Sequence, residues 1–304
     1  MRKTEFEDIV FADDLNCTKV LPPETTNDDA LTDAKRCQTE LHEWGGANQV
    51  KFDPGKESFH VIHRTRGEGG NFTILGIEFD TALLMHDAAR NIAVESGWRL
   101  KTLLRTRRFH STADLVRLYK SQILSFIESR TVGIHHAAPS VLACVDRVQR
   151  RFLREVGVSS FDALVCWRLA PLSCRRTIAM LGLLYRVAHN LAPECLCQLF
   201  ERENRIREGV PTRGAELRHD LRFKEFISIP SSGRHTDTLR RSCFGFITLW
   251  NLLPVHVVCS NSVKLFQRKL QLALSVRAKS GVEFENFFVE ARSMPIRQFQ
   301  SFFA

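Results

Sequence analysis

The chain has 304 residues, of which 44% are hydrophobic and 25% charged, with a formal net charge of +9. Those proportions exclude wholesale disorder, and the length fits about two domains of ~150 residues each. Nine cysteines, none spaced as Cys-x-x-Cys, argue against a zinc finger or a disulfide framework. Cys195 and Cys197 read as packed thiols in a reducing compartment. No apolar run reaches the ~18 residues of a membrane span. The start, Met1 to Asp8, turns acidic at once and lacks the apolar core of a secretory signal. A non-secreted, non-membrane protein of the nucleus or cytoplasm is expected.

Charge is unevenly spread. Residues 1–60 hold 7 basic and 13 acidic side chains, whereas residues 99–154 hold 12 basic and 3 acidic. An acidic head beside a basic body points to a polyanionic partner, with nucleic acid ahead of a membrane surface.

In chain order, Glu7–Ala12 and Leu15–Val20 read as strands joined through Asp13-Asp14, a two-residue connection. Thr26 or Asn27 caps a helix with Asp28 and Asp29 in its first turn. Its apolar positions are Leu31, Ala34, Cys37, Leu41 and Trp44, and Gly45-Gly46 is expected to stop it. Residues 57–63 and 72–79 look like an antiparallel pair connected through 66–71. From His86 the pattern turns helical, over 86–108, 112–128, 139–156 and 173–191. Residues 202–240 read as loop with a short strand near 221–229. A last helix over 262–280 carries Val263, Phe266, Leu270 and Leu274 on one face. The phenylalanine-rich tail 284–304 shows no uniting helical period and is assigned no fold. Trp98, Trp167 and Trp250 read as core anchors rather than base-stacking platforms.

Two patterns carry chemistry. Asp13 and Asp14, adjacent carboxylates at a tight turn, repel each other unless a divalent cation relieves them. Hard oxygen ligands suit magnesium, and two such ions can activate a hydroxyl and stabilise a leaving pyrophosphate. The second pattern is basic. Arg147, Arg150, Arg151 and Arg154 stand at offsets 0, 3, 4 and 7, one face of a helix, while Val141, Val145, Val148 and Phe152 form a separate apolar face. Like charges so spaced repel, and phosphates are their natural partners. Arg105, Arg107 and Arg108 end the preceding helical arm, and Lys120 lies on the next.

The order strand, Phe11-Ala12-Asp13-Asp14, strand, helix, hairpin resembles the palm of reverse transcriptases. It is most similar to those of non-LTR retrotransposons, jockey-like elements included. Trp44-Gly45 with Asn48-x-x-Lys51 resembles the motif after the catalytic hairpin. Ile74-Leu75-Gly76-Ile77 resembles the primer-grip turn. Arg240-Arg241-Ser242-Cys243-Phe244 and Leu249-Trp250-Asn251-x-Leu253-Pro254, followed by Ser262, Phe266 and Leu270, resemble a segment near the end of these polymerase regions. The resemblance implies an RNA-directed DNA polymerase working on an RNA template and a DNA primer.

It also implies roles. Asp13 would bind Mg2+, with Asp14 its less directly coordinating neighbour. Phe11 would pack near the primer end. Lys51 would assist proton transfer to the leaving pyrophosphate, or is a solvated lysine. Leu75 and Gly76 would approach the primer backbone. The basic helices would form a thumb on the RNA–DNA hybrid.

The implied fold class is α+β. A partial polymerase palm of antiparallel hairpins plus a helix (1–85) precedes a mostly α-helical thumb-like region (86–200) and a C-terminal region (201–304). In the family, a third aspartate, the nucleotide pocket and the fingers lie upstream of the Asp-Asp hairpin, which here begins at Glu7. An upstream polymerase segment would have to supply them, and the isolated chain is expected not to polymerise DNA. The alternative is a non-catalytic RNA- or DNA-binding remnant.

Overall fold

A computed structural model describes residues 5–12, 14–203, 217–225 and 234–304, without the side chains of 234–236. Asp13 is therefore outside the described residues. The chain divides into two units, Met1–Met85 and His86–Ala304.

In the first unit, β1 (Glu7–Phe11) and β2 (Asp14–Thr18) pair antiparallel, with Phe11 opposite Asp14 and Val10 opposite Leu15. Asp14 is thus the first residue of β2, not part of the expected Asp13-Asp14 connection. Ala12 takes the positive φ of 54° that such a short connection demands. Thr26 caps α1 (Asn27–Ala47), its hydroxyl accepting from the Asp29 amide.

The helix runs through Gly45-Gly46 instead of stopping there. It ends at Ala47, after which Gln49 adopts φ 60° and the Val50 amide donates back to the Gly45 carbonyl at 2.8 Å. That is the left-handed C-terminal closure usually given to glycine. Gly45 serves packing instead. A Cβ there would lie 2.6 Å from the Val50 carbonyl oxygen and 2.9 Å from the Phe52 ring.

The expected pairing of 57–63 with 72–79 is replaced by a hairpin within the second segment. β3 (Phe72–Ile74) pairs with β4 (Ile77–Phe79), and Leu75 and Gly76 between them have φ 49° and 74°. Two positive φ values in a two-residue loop match the strand twist. Segment 57–63 contributes the bridge Val61–Glu68 and a backbone hydrogen bond from the His63 amide to the Thr81 carbonyl at 2.9 Å. The two hairpins are separate two-stranded sheets. The chain is therefore α+β and mostly helical, but its described strands do not form the continuous palm sheet that the resemblance implies. β1 is exposed along its whole length, Ile9, Val10 and Phe11 included, and among the described residues no third strand pairs with it.

The second unit is helical. Its first part comprises α2 (His86–Arg105), α3 (Thr112–Tyr119), α4 (Ser125–Ser129), α5 (Thr131–Ile134), α6 (Pro139–Val156), α7 (Ser160–Val165) and α8 (Leu172–Ala188). A 3₁₀ turn, Arg107–Phe109, makes the corner after α2, and a π turn, Lys120–Leu124, joins α3 to α4. Tyr119 and Phe152, both fully buried, stack with ring centroids 4.2 Å apart and hold α3 to α6.

Beyond α8 come α9 (Glu194–Cys197), α10 (Arg234–Arg241), α11 (Ile247–Leu252), α12 (Val255–Val258), α13 (Val263–Lys279), α14 (Phe287–Glu290) and α15 (Ile296–Ser301). All but α10 share one core with α8, which includes Leu181, Leu184, Phe223, Trp250, Phe266, Phe287 and Phe299. The tail left without a fold is ordered by this core. Phe287, Phe288 and Phe299 are buried, and Arg277 lies over the Phe287 ring at 5.2 Å. Of the strand expected near 221–229, Phe223 bridges Arg202, and 226–229 lie outside the described residues.

After α5, the His135 Nδ1–H donates to the Val132 carbonyl at 2.8 Å, while its buried Nε2 meets no partner. Burial pushes its pKa down to about 4. An unfolded imidazole protonates near ~6.5. Between those values the unfolded state holds more protons, so stability rises with pH. It is complete above ~6.5 and lost as pH falls toward the folded pKa. Urea midpoints are expected to fall on acidification through this window, and His135→Gln should flatten the dependence.

Candidate nucleic-acid interface

Pro139 opens α6 at a position where its missing amide hydrogen costs nothing, and Gly157 closes it in the left-handed region at φ 68°. Val141, Leu142, Val145, Val148, Phe152 and Leu153 are buried on one face. Arg147, Arg150, Arg151 and Arg154 are all exposed on the opposite face. The helix has two acids, and both are engaged elsewhere. Asp146 accepts from both terminal nitrogens of Arg176 at 2.7 and 2.9 Å. Glu155 accepts from Arg107 at 2.7 Å. Among the described residues, no carboxylate pairs with any of the four arginines. Four guanidiniums on one helix face without a counter-ion cost stability and concentrate positive potential.

The neighbouring basic cluster converges on one end of this helix. The Cys144 thiol donates to the Ala89 carbonyl at 3.4 Å near the start of α2, and Arg107 meets Glu155 near both C-terminal ends. The two helices therefore run parallel. Arg105 and Arg108 are exposed at the end of α2 that this ion pair ties to α6. Arg107 is exposed too, though committed to Glu155. Lys120 does not join this surface. It is half-buried, its ammonium donates to the Trp167 carbonyl, and burial lowers its pKa.

The residues of the resembled palm fall in three places. Phe11 and Asp14 are brought together as a cross-strand pair, both exposed. Lys51 is exposed at the rim of an open pocket of about 460 Å³, lined also by His42, Gly45, Gln49 and Phe52. Leu75 and Gly76 form the second hairpin turn. A Cβ on Gly76 would meet nothing within 4 Å, so glycine is there for its φ rather than for space. Among the described residues, no group of three or more His, Cys, Asp or Glu side chains could hold a metal ion. Asp14 alone does not fit a magnesium site.

The downstream motifs are core and caps. Trp250, Leu253, Phe266 and Leu270 are fully buried, and the Ser262 hydroxyl caps α13.

Sequence reasoning misplaced one tryptophan and missed its neighbours. Trp250 is a core anchor and Trp167 is half-buried, but Trp98 is 64% exposed on α2. With Val94, Lys101 and Arg105 it stands at offsets 0, 4, 7 and 11. That spacing is visible in the sequence and marks one face of a helix. Phe109, at the corner, is also exposed.

No helix among the described residues is long and apolar enough to cross a membrane. No family model, curated protein or solved structure matches the chain.

Proposed function

We propose that the chain is the C-terminal part of an RNA-directed DNA polymerase of a non-LTR retrotransposon, and that its helical unit holds the RNA–DNA hybrid by its phosphates. The observation that carries the binding is the α6 stripe, four exposed arginines whose helix directs both its acids elsewhere. Arginine forks match phosphate oxygens, and such contacts position a duplex without reading its sequence. The polymerase reading rests on four motifs in order, from Phe11-Ala12-Asp13-Asp14 to Leu249–Pro254. Two-metal nucleotidyl transfer needs carboxylates beyond one turn, and the described residues gather no such group. This observation favours a second reading, a binding module without catalysis.

The test is hybrid binding across a salt series, with primer extension in parallel. Replacing Arg147, Arg150, Arg151 and Arg154 by alanine is expected to lower the slope of log affinity against log salt by about three, at ~0.7–0.9 per phosphate contact. An unchanged slope would remove α6 from the interface. Extension with Mg2+ that Asp13→Asn abolishes would favour the polymerase. Binding without extension, indifferent to Asp13→Asn, would favour the module.

A further inference from the structure

We infer that the outer face of α2 and the corner after it bind unpaired bases of a single strand, with Trp98 and Phe109 as stacking platforms. This rests on the nucleic-acid reading above and adds the form of nucleic acid recognised. The buried residues of α2 are Ala88, Ala89, Ile92, Ser96, Leu100 and Leu103. Val94, Trp98, Lys101 and Arg105 lie diametrically opposite, over about 16 Å at ~1.5 Å per residue. Trp98 is 64% exposed and Phe109 71%. Each ring has a cation beside it. The Lys101 ammonium lies 5.4 Å from the Trp98 centroid, and the Arg108 guanidinium 4.7 Å from that of Phe109.

Exposed rings interleaved with cations are what a flexible polyanion with aromatic bases would meet at both of its groups. Phosphates meet the cations and bases meet the rings. A scattered exposed hydrophobic residue needs no explanation; two exposed aromatics within twelve residues, each flanked by a cation, do. The acids nearby are already engaged, Asp87 with Arg90 at 3.9 Å and Glu95 with Arg99 at 2.6 Å. A membrane-surface helix would present a broad apolar face to lipid. Here that face is buried in the protein, and Val94 and Trp98 are the exposed large apolar residues on α2.

The test uses the full chain with a labelled poly-uridine oligonucleotide and an abasic strand of equal length. The wild type is expected to bind the base-bearing strand roughly tenfold tighter than the abasic one. Trp98→Ala should lower that ratio severalfold, toward what Phe109 alone supplies, and Trp98→Phe should restore most of it. Thermal melts of both variants should match the wild type, because the side chain is exposed. The inference is overturned if Trp98→Ala keeps the wild-type ratio. It is overturned equally if Trp98→Ala leaves the ratio intact while abolishing binding to anionic phospholipid vesicles. A salt-steep, arginine-dependent hybrid affinity beside an unchanged ratio would sink this inference alone. Absence of binding to hybrid and single strand alike would sink the reading it rests on as well.

Discussion

Trp250→Ala is expected to destabilise the helical unit by about 3–5 kcal/mol, the range for removing a fully buried large aromatic side chain. Trp250 has no exposed surface and sits 5.7 Å from Phe266, centroid to centroid. Its indole N–H donates to the Leu221 carbonyl at 2.8 Å. The next residue extends the same link. The Asn251 side chain accepts from the Phe223 amide at 3.0 Å and donates to the Phe223 carbonyl at 2.8 Å, as a neighbouring strand would. The truncation thus opens a cavity and leaves a carbonyl without its donor. Trp250→Phe keeps most of the volume and loses only the hydrogen bond, so a loss of about 1–2 kcal/mol is expected. Urea unfolding followed by circular dichroism reads both. A Trp250→Ala midpoint equal to the wild type would mean that α11 does not anchor the core shared with α8.

Those contacts show what was legible in the sequence and what was not. Phe266, Leu270 and Leu274 recur at helical spacing, and all three are buried in α13. The α6 stripe was legible for the same reason, since offsets of 0, 3, 4 and 7 give one face of any helix. The end of α1 was hidden because Gln49, not a glycine, takes the left-handed conformation, while Gly45 is demanded by the return of Val50 and Phe52. The aromatic tail was hidden because α14 and α15 are only four and six residues long, too short for a period to show. Phe287, Phe299, Phe302 and Phe303 cluster across the gap between those turns. Trp98 was misplaced because helical periodicity tells which residues share a face, not which face turns inward. Lys120 was misplaced because its partner, the Trp167 carbonyl, is far along the chain.

Arg176→Ala is expected to weaken both the fold and the interface, through one carboxylate. Arg176 is buried on α8, and its fork holds Asp146 of α6 at both oxygens. Removing one member of a largely buried pair strands the other charge. A cost of about 2–4 kcal/mol is expected, moderated because Asp146 is partly open to water. Asp146 stands four residues before Arg150 on the same helix, so once released it can pair with that guanidinium. The stripe then presents one fewer free charge, and the salt slope for hybrid binding should fall by ~0.9. Replacing both partners, Asp146→Leu with Arg176→Met, removes the stranded charge and the competing carboxylate together. Stability should recover to near the wild type, and the full salt slope should return. Urea midpoints and salt titrations on the same two variants decide the matter. Lost stability with an unchanged slope in Arg176→Ala would mean that Asp146 stays out of reach of the stripe, and that α8 holds α6 in place without governing its charge.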